Sequence, residues 1–199
     1  PDDRYHMTKI VKTTNDKQGL MDFTKMEYLI EPDFDTIYRE TEQFVAINKT
    51  TINYYNEELS LISQLDPSKI QLLDDRGENI RDYDNKRQLY IQLNKGKKGI
   101  ITDTGEEIVP AEYELVIQDY KKFFVMKDGK CGWIDLQGKV LVACEYDLAC
   151  DPSYISAYDC GSNCMLMQKG GKAFLFDQDG NLIASKEFSP FGGPCGAFE

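Results

Sequence analysis

Six cysteines and one histidine carry the sharpest chemistry in this 199-residue chain, and their spacing decides what they could do. Cys131, Cys144, Cys150, Cys160, Cys164 and Cys195 all lie in the C-terminal half, and no two form a CxxC pair. A tetrahedral zinc site needs four soft ligands, usually with such pairs. The N-terminal half has no cysteine, so the pattern reads as reduced thiols rather than a disulfide framework. His6 is the only histidine, which leaves a Ser-His-Asp or Cys-His couple without its base. Gly170-Gly171 fits a hairpin turn, not a phosphate-binding loop. Asp177-Gln178-Asp179-Gly180-Asn181 opens like a calcium loop but lacks the later bidentate Glu, so it reads as a capped turn. Carboxylates are too abundant for any two to be nominated as a glycosidase pair. These residues point to no enzyme, no metal and no cofactor.

The chain is 41% apolar and 29% charged, with a net charge of -11. Such a field repels nucleic acid and anionic membrane surfaces, and attracts a basic protein. No apolar run approaches the ~18 residues of a membrane-spanning helix. Pro1 to His6 read as a cloning remnant ahead of Met7, and no apolar leader follows. The expected location is the cytoplasm. The alternative is an exported or cell-envelope protein whose signal has been removed.

The elements that must position these side chains emerge from internal repetition. Fourteen residues separate Gly132 from Tyr146 and Gly99 from Tyr113, and the same interval runs from Phe174 to Phe188. Within each copy a second glycine recurs, as Gly105, Gly138 and Gly180. Weaker copies begin at Lys17-Gln18-Gly19, which runs to Phe34, and at Asn48, where Asn53 takes the place of Gly. About five units result. Residues 151–163 are an insertion between the last two copies.

Each unit reads as a β-meander. Phe123 to Met126 form a strand, Asp128-Gly129 a type I′ hairpin turn, and Gly132 to Asp135 the next strand. Asp135 to Gly138 form a turn closed by a left-handed Gly, and Lys139 to Val142 the third strand. A glycine inside a strand marks a bulge or a close approach of another element, and Gly132 is expected to let an aromatic ring of a neighbouring unit lie over bare backbone. No stretch has a convincing helical period; the best candidate for one short helix or helical turn is residues 57–73, interrupted by Pro67.

Lys130-Cys131-Gly132-Trp133-Ile134-Asp135-Leu136-Gln137-Gly138-Lys139, followed by Glu145-Tyr146-Asp147, resembles the WG repeat, also called the KWG repeat. The resemblance is strongest over residues 88–149. Trp133 is the only tryptophan; Leu20, Tyr54, Ile100 and Leu175 hold its place elsewhere. The resemblance implies an all-β interaction module with no catalytic motif to transfer.

The expected fold is all-β: tandem β-meander repeats in an open twisted array, or alternatively a propeller-like ring. Residues 7–191 form one repeat domain and 192–199 a flexible Gly-rich tail. Gly99, Gly105, Tyr113, Gly132, Trp133, Gly138, Tyr146, Gly180 and Phe188 are the structural repeat positions. The expected function is protein binding, with a basic partner such as a bacterial toxin neutralised by an acidic immunity protein. The acidic stretches Glu31–Glu42 and Asp74–Asp84 are where such a partner would sit. Asp74, Asp75, Glu78, Asp82 and Asp84 are nominated, on the expectation that they form an exposed connection. The competing reading is a structural or cell-envelope module that binds carbohydrate through exposed Tyr and Trp.

Overall fold

The computed structural model describes residues 7–40, 42–82, 87–147 and 164–187. Residues 1–6, Asp84, the insertion at 151–163, Phe188 and the tail at 192–199 lie outside the described residues. Nineteen strands and no helix occur among the described residues. The first meander is β1 (Thr8–Lys12), β2 (Gln18–Asp22) and β3 (Glu27–Phe34). The second is β4 (Thr36–Glu40), β5 (Gln43–Ile47), β6 (Ile52–Tyr55) and β7 (Leu61–Leu65). The third contains β8 (Ile70–Gln71), β9 (Arg81–Asp82), β10 (Arg87–Asn94), β11 (Lys97–Thr102) and β12 (Glu107–Tyr113). The fourth is β13 (Leu115–Asp119), β14 (Lys122–Lys127), β15 (Lys130–Asp135) and β16 (Val140–Tyr146). The fifth is β17 (Cys164–Lys169), β18 (Lys172–Asp177) and β19 (Leu182–Glu187). None of these sheets closes into a barrel.

The chain divides into two bodies. One comprises Pro1–Ile70 with Asp103–Glu106, and the other Gln71–Thr102 with Glu107–Glu199. Residues 57–73 contain no helix. Leu61–Leu65 is strand β7, laddered to β6, because alternate residues find antiparallel partners there.

The fourth meander shows why its sequence reads as an apolar run. Val116, Phe123, Val125 and Ile134 pack from one face of its sheet against Leu89, Ile91, Ile100 and Tyr113. Ile117, Phe124, Cys131 and Trp133 pack from the opposite face against Met165, Met167 and Phe176. A strand buried on both faces loses the apolar-polar alternation of a surface strand. In the first body, Leu20, Ile30 and Phe34 pack against Ile37, Phe44 and Ala46.

The hairpin turns form as their residues require. Asp128 and Gly129 have φ of 52° and 71°, which is the double left-handed step of a type I′ turn. Asp135 accepts the amides of Gln137 and Lys139, each at 2.9 Å, while Gly138 N donates to its carbonyl at 3.1 Å. Asp177 caps the same turn by accepting from Asp179 N at 3.0 Å and Asn181 N at 2.8 Å. The calcium-like run is therefore a turn whose leading carboxylate is already satisfied.

A shared irregularity defines the repeat more sharply than its turns. In all five meanders the last strand bulges by one residue, at Leu29, Ile62, Ile108, Leu141 and Ile183. In three of them the same strand bulges again, by two residues, opposite Gly19, Gly99 or Gly132. A Cβ on Gly132 would lie 2.5 Å from the Val142 carbonyl oxygen, and one on Gly19 2.8 Å from that of Ile30. Where Asn53 or Phe174 replaces this glycine, the second bulge is absent and the residue pairs directly with Gln64 or Ser185. The atoms nearest a Cβ on Gly132 are the backbone of Val142, Ala143 and Cys144, not the expected aromatic ring. The glycine makes room for the bulged backbone of its own meander, because three surplus residues on the last strand must fold inward somewhere.

Candidate interaction surface

The repeat's charged and glycine positions are consumed largely in joining one meander to the next. Lys17 pairs with Asp35 at 2.7 Å, Lys97 with Glu114, and Lys130 with Asp147 at 2.5 Å. Each joins the first residue of a Lys-x-Gly to the acid that follows the meander's final aromatic. The same acid reaches forward through its backbone. Asp35 N donates to Ile47 O, Glu114 N to Met126 O and Asp147 N to Gln168 O.

The acid before the aromatic makes the forward ion pair. Lys127 lies 2.9 Å from Glu112 and Lys169 lies 2.8 Å from Glu145. Their ammonium groups also sit 6.0 Å and 5.6 Å from the ring centres of Tyr113 and Tyr146. Hydrogen bonding to these lysines holds the Glu112 and Glu145 carboxyls below the usual range and raises the ammonium pKa of each lysine. Burial pushes the Tyr113 phenol up to about 12, with the Glu112 charge adding to it. The Lys-x-Gly and Glu-Tyr-Asp positions are thus the two halves of a joint.

The second glycine completes that joint. Gly138, at φ 84°, sits directly on the bulged carbonyl of Ile108, and Gly180, at φ 86°, on that of Leu141. A Cβ at either position would overlap the carbonyl oxygen. Gly105 also has positive φ, with the Leu65 side chain 3.7 Å from where its Cβ would lie. The sequence reading assigned these glycines to turn geometry alone. Seen in the fold, Gly138 and Gly180 also admit the preceding meander's bulge.

The nominated acidic residues are placed differently from one another. Asp74, Asp75, Arg76 and Gly77 form another Asp-x-x-Gly turn, with Gly77 N donating to Asp74 O at 3.0 Å. The Asp74 carboxylate is buried and accepts from Arg76 N at 2.8 Å, Glu78 N at 3.0 Å and Gln118 N at 3.0 Å. Asp75 accepts Val116 N at 2.8 Å and pairs with Lys98. Arg76 donates to Gln118 O, and Asp75 N to Val116 O at 3.2 Å. These bonds seal the outer edge of β13. Asp82 is buried and held by Arg87 at 2.9 Å. The expectation of an exposed connection therefore fails for Asp74 and Asp82, whose carboxylates satisfy backbone amides and an arginine. Glu78 is exposed. In the other acidic stretch, Glu31, Asp33, Glu40 and Glu42 are exposed and have no ion pair among the described residues.

Trp133 is buried, its Nε1 donating to Met167 Sδ at 3.1 Å and its ring edge-on to Phe124 at 5.2 Å. It offers no face to a sugar. Tyr28, Tyr38 and Tyr120 are exposed. Cys131 and Cys144 are free, and burial pushes the Cys131 thiol up to about 12, so it is a poor nucleophile. Cys164 is disulfide-bonded, so the reading of reduced thiols fails at that cysteine, while Cys131 and Cys144 fit it. No group of three or more metal-ligating residues occurs among the described residues. No helix there is long and apolar enough to cross a membrane.

Consecutive β-meanders, which in the second body key into one another through bulges, glycine turns and ion pairs, define a tandem β-repeat protein. The family model for the WG containing repeat matches residues 132–152, the segment that opens on Gly132-Trp133 and carries Glu145-Tyr146-Asp147. No curated protein matches the sequence. Solved structures similar to the chain include Kluyveromyces lactis Hsv2, at 12% identity over 91% of this chain and 60% of that one, with a TM-score of 0.35. A eukaryotic initiation factor gives 15% identity, 91% and 50% coverage and a TM-score of 0.41. BBS1N in complex with ARL6DN gives 10% identity, 91% and 62% coverage and a TM-score of 0.30. The chain thus spans 50–62% of the length of these three.

Proposed function

We propose that the chain is a protein-binding module that captures a basic partner, as an acidic inhibitor or immunity protein captures a cationic toxin. The observation that carries this reading is how charge is distributed in the repeat. The lysines at the joints are paired, whereas Glu31, Asp33, Glu40 and Glu42 face solvent, in a chain of net charge -11. Exposed acids on β3, on β4 and in the turn after it steer a cationic partner by long-range attraction, which screening shortens to about 8 Å near physiological ionic strength. Charge reversal at Glu31, Asp33, Glu40 and Glu42 should slow association with a basic partner, and added salt should slow it in the unaltered protein. An association rate indifferent to both would remove the reading.

A second reading, an exported or cell-envelope module, is favoured by one observation, the disulfide at Cys164. Structural disulfides persist in oxidising compartments. Thiol titration under denaturing, non-reducing conditions tests it. A disulfide takes two of the six cysteines, so at most four thiols should react in protein taken from its source. Six reactive thiols would leave the cytoplasmic reading standing.

A further inference from the structure

Two joints of the second body seat a lysine in the same way. Lys127 lies 2.9 Å from Glu112, with its ammonium 6.0 Å from the ring centre of Tyr113. Lys169 lies 2.8 Å from Glu145, with its ammonium 5.6 Å from the ring centre of Tyr146. In each case acid and ring are neighbours at the end of one meander's last strand, and the lysine ends β14 or β17 of the next.

The first body contains the same joint with one residue changed. Asp35 N donates to Ile47 O at 2.8 Å, as Glu114 N does to Met126 O at 2.8 Å and Asp147 N to Gln168 O at 2.7 Å. Ile47 therefore stands where Met126 and Gln168 stand. The residue after each acceptor is Asn48, Lys127 or Lys169, and the acid two places before each donor is Asp33, Glu112 or Glu145. Phe34 follows Asp33 and is buried, as Tyr113 and Tyr146 are. The joint thus keeps its acid, its ring and its backbone bond, and has asparagine where the ammonium would come from. The Asn48 side chain is turned into its own hairpin, accepting from Thr50 N and Thr51 N at 2.9 Å each. Lys17 is held by Asp35 at 2.7 Å. Asp33 and Lys49 are both exposed, and neither has an ion pair among the described residues.

In the other joints the following repeat supplies the lysine. Here that repeat is the second meander itself, already seated through the Asp35 bond and the core shared by Phe34, Ile37 and Phe44. The acid is left for a cation from outside this succession of meanders. We propose that Asp33 and Phe34 form a socket for a lysine ammonium of the basic partner, using the acid-and-ring pair that seats Lys127 and Lys169 within the chain. A carboxylate beside an aromatic ring attracts an ammonium by charge and by the ring's negative face together. The proposal rests on the protein-binding reading and names the side chain that one of its four acids receives.

The test titrates the full chain, with isotope-labelled side-chain carboxyls, with N-acetyl-lysine amide at constant ionic strength, and follows the carboxyl resonances by NMR. The Asp33 resonance should move saturably while those of Glu31, Glu40 and Glu42 move little. N-acetyl-norleucine amide, which has an apolar side chain without the ammonium, should leave it in place. Asn48→Lys brings an ammonium from within the chain and should abolish the Asp33 response. Asn48→Met loses the same turn bonds without adding charge and should retain it. An Asp33 response no larger than that of Glu31, an equal response to the norleucine compound, a response kept in Asn48→Lys, or one lost in Asn48→Met each overturns the proposal. Salt-sensitive association that depends on Glu31, Asp33, Glu40 and Glu42 as a group would survive that failure, so the two readings fail separately.

Discussion

Gly138 lies against the carbonyl of Ile108, in the meander before its own, with no room for a side chain between them. A turn residue is thereby also the point at which two sheets are registered. Gly138→Ala imposes a left-handed alanine, at roughly 1–2 kcal/mol, and drives its Cβ into a backbone atom that cannot rotate away. The variant should lose about 3 kcal/mol or more in denaturant unfolding. Gly129→Ala, at a similar φ with nothing near its Cβ, should lose only about 1–2 kcal/mol. Equal losses at the two positions would show that Gly138 serves its turn alone.

Asp74→Ala should cost about 2–4 kcal/mol, because Gln118 N and the turn amides lose an acceptor in a buried place. Glu78→Ala, four residues on and exposed, should change stability by less than about 0.5 kcal/mol. Equilibrium unfolding in urea distinguishes the two. A small effect at Asp74 would return it to the pool of surface acids.

The joint between meanders should weaken at acid pH. Glu112 and Glu145 have their pKa lowered from 4.5 by Lys127 and Lys169. A lowered carboxyl contributes stability above its unfolded value, and that contribution is lost as pH falls through the folded one. Stability should therefore decline as pH drops below about 4.5, and replacing both lysines by Met should shallow the decline. The lysines themselves, raised above 10.5, contribute below that pH and lose the contribution as pH climbs through their folded values. An acid limb unaltered in the double variant would assign the sensitivity to other carboxylates.

What the sequence made visible was whatever acts through local backbone geometry. Asp128-Gly129 and Asp135 to Gly138 carry their turn types in residue identity, and the interval from Gly132 to Tyr146 marks the repeat. A glycine inside the strand was read as the mark of a bulge or of a close approach, but the two-residue bulge opposite Gly132 and the single one at Leu141 were not placed, though the interval contains them. The last strand needs more residues than β15 can pair, and the glycine stands where the surplus folds inward. Asp74 was read by its charge, although Asp74-Asp75-Arg76-Gly77 has the same Asp-x-x-Gly pattern as the turns recognised at Asp135 and Asp177. The pairing of Lys127 with Glu112 was hidden because it joins different meanders, and periodicity within one meander says nothing of which charges meet across two. Residues 57–73, the best candidate for a short helix in a chain without a convincing helical period, instead place Leu61–Leu65 on the ladder with β6.

The bonds from Asp74, Asp75 and Arg76 to Val116 and Gln118 bear on where the polypeptide can be cut. Judged by its repeats, the chain looks divisible just before β10, at residue 87. A fragment starting there would leave behind the loop that shields the free edge of β13, exposing a strand ready to ladder with its copies in other molecules. The separable piece is offset from the sequence repeat by the length of that loop. A dissection of this protein that respects its hydrogen bonds keeps residues 71–82 with the sheet that follows them.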